Sequence, residues 1–437
     1  MKPEVYDARE LGISRRRISR GAVRVVEEIQ QAGFEAWLVG GCVRDLLMGI
    51  EPKDFDVTTN AYPEEIQEVF RRARLIGRRF RLAHVRMGRE VIEVATYRAN
   101  PLDYADAPHQ VTTEHGRILS DNVYGDIEED AARRDFTVNA LYYDPVHEEV
   151  VDYLGGVRDS EAGLLRVIGD AERRFAEDPV RMLRVLRFRA KLGFDLEPDI
   201  LDKIEHCAPL LEHVPPARMF DEVFKLFHHA HAVESWEELK QHGLLEHLLP
   251  QTADAINDPD SGEQAEQMIR LALESTDRRV REGKPVIPAF FFAVTLWRPF
   301  QKELREQLGK GLHGSEAVWK AGERVVRRQT SRIAIPKRVS VPAIEIWEMQ
   351  QRLEQRRPRT VRRMLDKQRF RAAYDFLLMR SKAGEVPTEL AQWWTRIQEV
   401  DEVERQRMIG ALQGGGDGGH RRKRRRPRKR SPSNVAT

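Results

Sequence analysis

The spacing of apolar residues changes near Gly155 and Gly156, and this change limits what the chain can fold into. Before these glycines, short apolar runs of strand length alternate with segments of helical periodicity. After them, apolar residues recur almost entirely with helical spacing. The sequence therefore predicts a mixed α/β domain in the first 155 residues, followed by an all-α region.

Prolines and glycines divide the helical part further. Breaks in the helical pattern fall near residues 215–216, 257–262, 283–288 and 334–336. Residues 414–419 contain five glycines, which predicts a flexible linker, and we expect the basic tail beyond it to be disordered.

Basic residues are concentrated near the C-terminus. The chain has 73 Lys and Arg against 70 Asp and Glu, a net charge of +3, and nine of the basic residues lie within 421–430. The rest of the chain is therefore net negative. An acidic body with a basic tail is typical of a protein that binds a polyanion through an appended arm.

Composition argues against several classes of protein. Charged residues make up 33% of the chain, and its N-terminal Glu4, Asp7 and Glu10 do not fit a signal peptide. We therefore expect a cytoplasmic protein with no membrane partner. Cys42 and Cys207 are the only cysteines in the sequence, so neither a disulfide framework nor a cysteine zinc site is expected.

A pair of aspartates marks the first candidate site. Residues 54–58 read as a strand, whose alternation would place Asp54 and Asp56 on one face and Phe55 and Val57 in the core. Two adjacent carboxylates repel each other unless a cation lies between them, and Mg²⁺ prefers carboxylates together with substrate phosphates. Taken alone, the pattern also fits a polar strand edge.

A glycine turn precedes this pair. Gly40 and Gly41 separate the apolar segment 34–39 from a predicted helix at 43–48. Backbone amides at such a turn can receive phosphate, and Arg44 would add positive charge. Taken alone, two glycines are more often a simple turn.

Together these segments resemble the head of the class II nucleotidyltransferases. The resemblance rests on Leu-Val-Gly-Gly-Cys-Val-Arg-Asp at 38–45 and Lys-Asp-Phe-Asp-Val at 53–57. Arg-Arg-Asp-Phe-Thr at 133–137 and Glu-Asp-x-x-Arg at 177–181 resemble two further motifs, in the family's order. The family contains tRNA CCA-adding enzymes and bacterial poly(A) polymerases.

The resemblance implies a nucleotidyltransferase head with a mixed sheet, and two-metal transfer of AMP from ATP to an RNA 3′ end. Asp54 and Asp56 would bind Mg²⁺ and act with Asp135 as catalytic residues. Glu93, a charge in an apolar strand, is the other candidate for the third metal-site carboxylate. Asp135 also fits the N-cap of a following helix.

The resemblance also implies a nucleotide site. Asp178 and Arg181 would recognise the edge of the base with support from Glu177, since an acid and an arginine offer complementary hydrogen-bonding groups. The residues expected to bind nucleotide are Gly40, Gly41, Arg44, Arg133, Arg134, Asn139, Glu177, Asp178, Arg181 and Arg184.

Three other segments, 75–85, 214–227 and 370–378, resemble the poly(A) polymerases within this family. We therefore expect RNA 3′ ends and ATP as partners, a role in RNA decay, and contacts with RNA-decay proteins. The residues expected to bind RNA are Arg78, Arg79, Arg81, Arg421, Arg422, Lys423, Arg424, Arg425 and Arg426. A CCA-adding enzyme and a non-catalytic RNA-binding protein are the alternatives.

The resemblance assigns a role to each predicted region. These are a catalytic head (14–155), a helical neck for base recognition (156–215), a helical RNA-binding body (216–330), a helical arginine-rich region (331–412) and the flexible basic tail (413–437).

Overall fold

The strands of the first part of the chain form one eight-stranded sheet. The computed structural model of the protein describes residues 2–77, 81–99 and 123–414. The strands are β1 (Glu4–Asp7), β2 (Ala36–Val39), β3 (Asp56–Thr59), β4 (Arg74–Ile76), β5 (Leu82–Met87), β6 (Glu90–Thr96), β7 (Leu141–Asp144) and β8 (Glu149–Asp152). Across the sheet their order is β1-β8-β7-β2-β3-β6-β5-β4.

The pairing of β3 determines where functional side chains can meet. β3 runs antiparallel to β2 and parallel to β6, whereas the other neighbouring strands are antiparallel. Val39 at the end of β2 pairs with Asp56 at the start of β3. Asp56 is also in register with Glu93 of β6. The turn after β2 therefore lies next to Asp56, and Glu93 in the middle of β6 lies opposite Asp56.

Helices cover the sheet and complete its core. They are α1 (Arg20–Gln31), α2 (Gly41–Leu47), α3 (Pro63–Val69), α4 (Ile127–Ala132) and α5 (Gly156–Ala162). Val25, Val26 and Ile29 of α1 are buried in a cluster that includes Leu38 and Val57 of the sheet. Complete burial of such a side chain contributes roughly 1.5–3 kcal/mol, so this face holds α1 on the sheet.

The chain then continues as helices, as predicted. They are α6 (Ala171–Glu177), α7 (Val180–Leu192), α8 (Ile200–Cys207), α9 (Pro216–Phe227), α10 (Ala232–Gln241), α11 (Leu244–Leu248), α12 (Pro250–Ile256), α13 (Gly262–Arg281), α14 (Pro288–Thr295), α15 (Trp297–Gly309), α16 (Gly314–Thr330) and α17 (Lys337–Gln355). Across the described part of the chain, none of the helices has both the length and the apolar character needed to cross a membrane.

Two short strands accompany these helices. β9 (Leu164–Leu165) and β10 (Asp195–Leu196) form a parallel pair. Two residues are too few to show an alternating pattern, so the apolar spacing does not predict either strand.

The chain divides into two compact units, Met1–Ile344 and Glu345–Thr437. In the second unit, the C-terminal end of α17 is followed by α18 (Pro358–Leu365), α19 (Phe370–Lys382), α20 (Thr388–Glu399) and α21 (Glu402–Gly414). Their core is formed around Trp394, which is fully buried and whose Nε1 donates to the Leu353 carbonyl at 2.9 Å. The predicted disordered tail lies outside the described residues.

Several element boundaries differ from the sequence prediction. β3 begins at Asp56, so Asp54 precedes the strand instead of sharing it. The helix predicted for 43–48 is α2, which begins two residues earlier at Gly41 and ends at Leu47. The Ser19 side chain accepts a hydrogen bond from the Ala22 amide at 3.0 Å, which fixes the start of α1.

Candidate active site

Two carboxylates from neighbouring strands lie side by side where β3 begins. Because Asp56 and Glu93 are in register on parallel neighbours, their side chains project from the same face. Asp54 lies just before the strand. Loss of hydration, then repulsion by Glu93, raises the pKa of Asp56 to about 6, with Asp54 adding to the effect and Arg134 opposing it. Of the three side chains expected to bind metal, the structure thus places Asp56 and Glu93 opposite each other, with Asp54 two residues before Asp56.

This donor set suits a hard divalent cation, because it consists of carboxylate oxygens. Glu93 is half exposed, and its Oε1 lies 3.1 Å from Nε2 of His84. Within residues 2–77, 81–99 and 123–414, no three His, Cys, Asp or Glu side chains are close enough to hold a metal as they stand. A cation would nevertheless relieve the repulsion that raises the pKa of Asp56.

Gly40 places the turn after β2 beside an arginine. Its φ of +76° and ψ of −131° are accessible to glycine but strained for other residues. A Cβ at this position would lie 3.5 Å from Nη1 of Arg134. This distance is an ordinary van der Waals contact, so the positive φ is what favours glycine here, and the turn lies beside the Arg134 guanidinium.

Asp130 holds Arg134 in place, and it was not identified from the sequence. Arg134 donates from Nε and Nη2 to Asp130 Oδ2 at 3.1 and 2.7 Å, and its guanidinium lies over the Tyr142 ring. Asp130 also accepts from Arg133 and from the Tyr142 hydroxyl. Burial alone would raise the pKa of Asp130, but Arg134 and Arg133 lower it well below its usual range.

A signal for Asp130 is present in the sequence. Asp130, Arg133 and Arg134 are spaced three and four residues apart, the separation at which side chains on a helix meet. The family motif begins at Arg133, so it does not include the partner one helical turn earlier.

Asp135 lies in a second polar cluster. Its Oδ2 pairs with Nη2 of Arg184 at 2.6 Å, and its Oδ1 accepts from Asn139 Nδ2 at 3.3 Å. Asn139 in turn accepts from Arg44 Nη1 at 2.6 Å. Burial raises the pKa of Asp135, but Arg184, the hydrogen bond from Asn139 and the charge of Arg181 together lower it below its usual value. Asp135 is thus bound by an arginine, whereas Glu93 lies opposite Asp56.

Arg44 is buried and joins α2 to α7. Its Nε and Nη2 donate to Asp45 Oδ1 at 2.9 and 2.6 Å, and its guanidinium lies 5.1 Å from the centre of the Phe188 ring. Arg187 approaches the same ring at 4.8 Å. Lys191 of α7 pairs with Asp45 at 3.7 Å. These contacts connect the glycine turn with α7, which carries Arg181 of the Glu-Asp-x-x-Arg motif.

The acids of that motif pair with different arginines. Glu177 Oε2 accepts from Arg174 Nη1 at 3.0 Å and from Arg181 Nη1 at 3.2 Å. Asp178 Oδ2 accepts from Arg218 Nη2 at 2.5 Å. The sequence interpretation missed both Arg174 and Arg218. Arg174 had a signal, its spacing of three residues from Glu177, whereas Arg218 is 40 residues from its partner and had none.

The predicted RNA-binding residues lie mostly outside the described structure. Arg78, Arg79 and the tail residues Arg421, Arg422, Lys423, Arg424, Arg425 and Arg426 are outside it. Arg81 is partly exposed, and its Nη1 pairs with Glu64 Oε1 at 2.7 Å.

Three segments of the chain match described protein families. Residues 36–166 match the "Poly A polymerase head domain" and residues 193–256 the "Probable RNA and SrmB- binding site of polymerase A". Residues 310–430 match the "Polymerase A arginine-rich C-terminus".

Related proteins match nearly the whole chain. Poly(A) polymerase I of Haemophilus influenzae is 45% identical over 94% of this chain and 91% of its own length. The Salmonella typhi protein of the same name is 42% identical over 97% of this chain and 92% of its own length. A Streptococcus pneumoniae CCA-adding enzyme is 34% identical over 63% of this chain and 64% of its own length. These similarities confirm the resemblance expected from the four motifs.

Solved structures show the same fold. The CCA-adding enzyme of Bacillus stearothermophilus in complex with CTP aligns with a TM-score of 0.56 and 23% identity. The alignment covers 90% of this chain and 82% of that one. The predicted architecture of a nucleotidyltransferase head followed by a helical body is therefore confirmed.

Proposed function

The chain belongs to the poly(A) polymerase family of nucleotidyltransferases, and on that premise we propose that it adds AMP from ATP to RNA 3′ ends without a template. It is thus a polynucleotide adenylyltransferase. Relatives named Poly(A) polymerase I support A addition over CCA addition, because they match at least 94% of this chain and the CCA-adding relative matches 63%.

The observation that carries the proposed chemistry is the placement of Asp56 opposite Glu93, next to Asp54. These three carboxylates would hold Mg²⁺, and we assign the third position to Glu93 because Asp135 is occupied by Arg184. Bound Mg²⁺ would lower the pKa of the RNA 3′ hydroxyl and offset the charge of the phosphates.

In the reaction, the RNA 3′ oxygen forms a bond to the α-phosphorus of ATP. The bond from that phosphorus to the β-phosphate oxygen breaks, and pyrophosphate leaves. Arg134 lies beside Gly40 and is held there by Asp130, so its guanidinium is positioned before ATP arrives. We assign binding of the triphosphate to Arg134, Arg133 and the turn at Gly40 and Gly41. An arginine that is already fixed in position binds phosphate oxygens with little loss of entropy.

Base selection is assigned to the start of α7. Arg181 and Asp178 offer donors and an acceptor that match the edge of a base. Their ion pairs with Glu177 and Arg218 hold both groups in defined positions. Arg44, Asn139, Asp135 and Arg184 form the polar cluster that supports this helix against the head.

We assign RNA binding to the basic residues Arg78, Arg79 and Arg81 and to the basic tail. These residues would contact phosphates and would not recognise the base sequence. The five regions predicted from the sequence provide the working division of these roles. A product with a single-stranded 3′ tail fits a role in RNA decay.

Single-nucleotide incorporation tests the proposal. The full-length protein is incubated with Mg²⁺ and either an unstructured RNA or a tRNA that lacks CCA, and each reaction receives one of ATP, CTP, GTP or UTP. We expect long products from ATP on the unstructured RNA. Addition of CTP only on the tRNA would identify a CCA-adding enzyme, and binding without addition would identify a non-catalytic RNA-binding protein.

A further inference from the structure

Arg174 of α6 makes an unusual set of contacts with the backbone of the head. Its Nη2 donates to the carbonyl oxygens of both Arg133 and Arg134, at 2.5 and 2.6 Å. The side chain is almost fully buried, with 6% of the residue exposed. These two carbonyls belong to the residues assigned to the triphosphate, and they lie about 40 positions earlier in the sequence.

The other end of the guanidinium faces Glu177 of the Glu-Asp-x-x-Arg motif. Arg174 Nη1 donates to Glu177 Oε2, which also accepts from Arg181 Nη1 at 3.2 Å. Arg181 Nη1 in turn donates to the backbone carbonyl of Arg174 at 2.9 Å. Burial lowers the pKa of Arg174 to about 10, so the group stays charged at neutral pH. One guanidinium therefore connects the 133–134 backbone to the Arg181 side chain.

We propose that Arg174 is a positioning residue that fixes the distance between the triphosphate-binding Arg134 and the base-reading Arg181, and so determines how strongly the enzyme prefers ATP. This inference rests on the proposed function. A bound nucleotide must fit both ends at once. A shift of Arg181 relative to Arg134 therefore weakens binding of ATP in particular, since ATP is the nucleotide for which the spacing is correct.

The geometry requires an arginine. A guanidinium is planar and carries donors on separate nitrogens, so one nitrogen can hold two carbonyls while another holds a carboxylate. The single ammonium of lysine preserves the charge but not this fork. Arg174→Lys therefore separates the positioning role from simple charge balance.

The test compares steady-state kinetics of Arg174→Lys with wild type, for ATP and CTP separately, on an unstructured RNA. We expect the KM for ATP to rise by roughly tenfold or more, since small misplacements of reacting groups have effects of this size. The ratio of kcat/KM for ATP to kcat/KM for CTP should fall as well. This ratio does not depend on the fraction of folded enzyme, because misfolded protein lowers both values equally.

Arg166→Lys is the matched control. Arg166 also makes ion pairs within this unit, with Asp159 at 3.0 Å and Glu197 at 2.8 Å, and it has no assigned role in the site. We expect a lower Tm with an unchanged ATP to CTP ratio. If Arg174→Lys does not fold, Glu177→Gln weakens the same connection from its other end and should lower the ratio.

The outcomes separate the two proposals. Wild-type enzyme that fails to incorporate ATP contradicts the proposed function. Wild-type enzyme that incorporates ATP, together with an Arg174→Lys variant whose KM and nucleotide ratio are unchanged, overturns the positioning role alone.

Discussion

Asp56 and Glu93 occupy matching positions on the parallel strands β3 and β6, which gives the enzyme a carboxylate pair that the chain order alone does not indicate. Their mutual repulsion contributes to the raised pKa of Asp56. The pair lies where β3 begins, next to the end of β2 from which the Gly40 turn continues. The proposed cation-binding centre and the proposed phosphate-binding turn are therefore adjacent because of strand register.

Loss of either carboxylate should abolish AMP addition. We expect Asp56→Asn and Glu93→Gln each to lower kcat by at least roughly a hundredfold, since a catalytic metal supplies several kcal/mol. Asp135→Asn should reduce kcat less, because Asp135 pairs with Arg184. RNA binding, measured by filter retention, should remain intact in all three variants.

The exposed Glu68 of α3 provides the control for these substitutions. Glu68→Gln should retain wild-type kcat. A Glu93→Gln enzyme that stays active while Asp135→Asn is inactive would transfer the third metal-site position to Asp135.

Asp130→Asn should destabilise the protein and weaken ATP binding together. Breaking a buried ion pair costs about 3 kcal/mol, because the remaining charge loses its partner. We expect that loss in urea unfolding, with a higher KM for ATP as Arg134 becomes mobile. Asp126→Asn, at the N-cap of the same helix, should cost little, since asparagine caps as well as aspartate.

The effect of Asp130→Asn on the free energy of unfolding should depend on pH. The pKa of Asp130 is lowered in the folded protein, so its charge stabilises the fold above the unfolded pKa of about 4 and this contribution is lost as pH falls below it. The difference in unfolding free energy between wild type and Asp130→Asn should therefore be constant near neutral pH and shrink below about pH 4. A difference that grows on acidification would contradict the ion-pair assignment.

Gly40→Ala should impair both stability and ATP binding. The positive φ costs an alanine roughly 1–3 kcal/mol, and relief of this strain would move the turn from its position beside Arg134. Gly49→Ala is the matched control, because Gly49 has a φ of +74° and a Cβ added there would meet no described atom within 4 Å. Both variants should lose stability in thermal unfolding. An equal KM for ATP in the two would argue against contact between the turn and the nucleotide site.

Removal of residues 415–437 should weaken RNA binding and reduce its dependence on salt. Each phosphate contact adds about 0.7 to the slope of log affinity against log salt for a single strand, so losing nine basic residues should lower the slope clearly. Shuffling residues 421–430 without changing their composition should preserve both quantities. A deletion that leaves the slope unchanged would exclude the tail from RNA binding.

Local patterns predicted much of the proposed site. The Gly40 turn, the Asp54 and Asp56 pair and the motifs at 133–137 and 177–181 are each short enough to be recognised without a structure. Asp130 and Arg174 were missed although both lie one helical turn from a motif residue. Isolated ion-pair spacings are common on any helix, so the spacing did not distinguish these two from surface pairs.

The sequence by itself determined the family, the mixed head followed by helices, and the residue types proposed to carry the chemistry. The tertiary structure decided which of them meet. Glu93 reaches Asp56 through the register of β3 and β6, and Arg174 reaches the Arg133 and Arg134 carbonyls through the placement of α6. An acid or an arginine can pair with many partners at similar energy, so only the order of strands and the packing of helices select one.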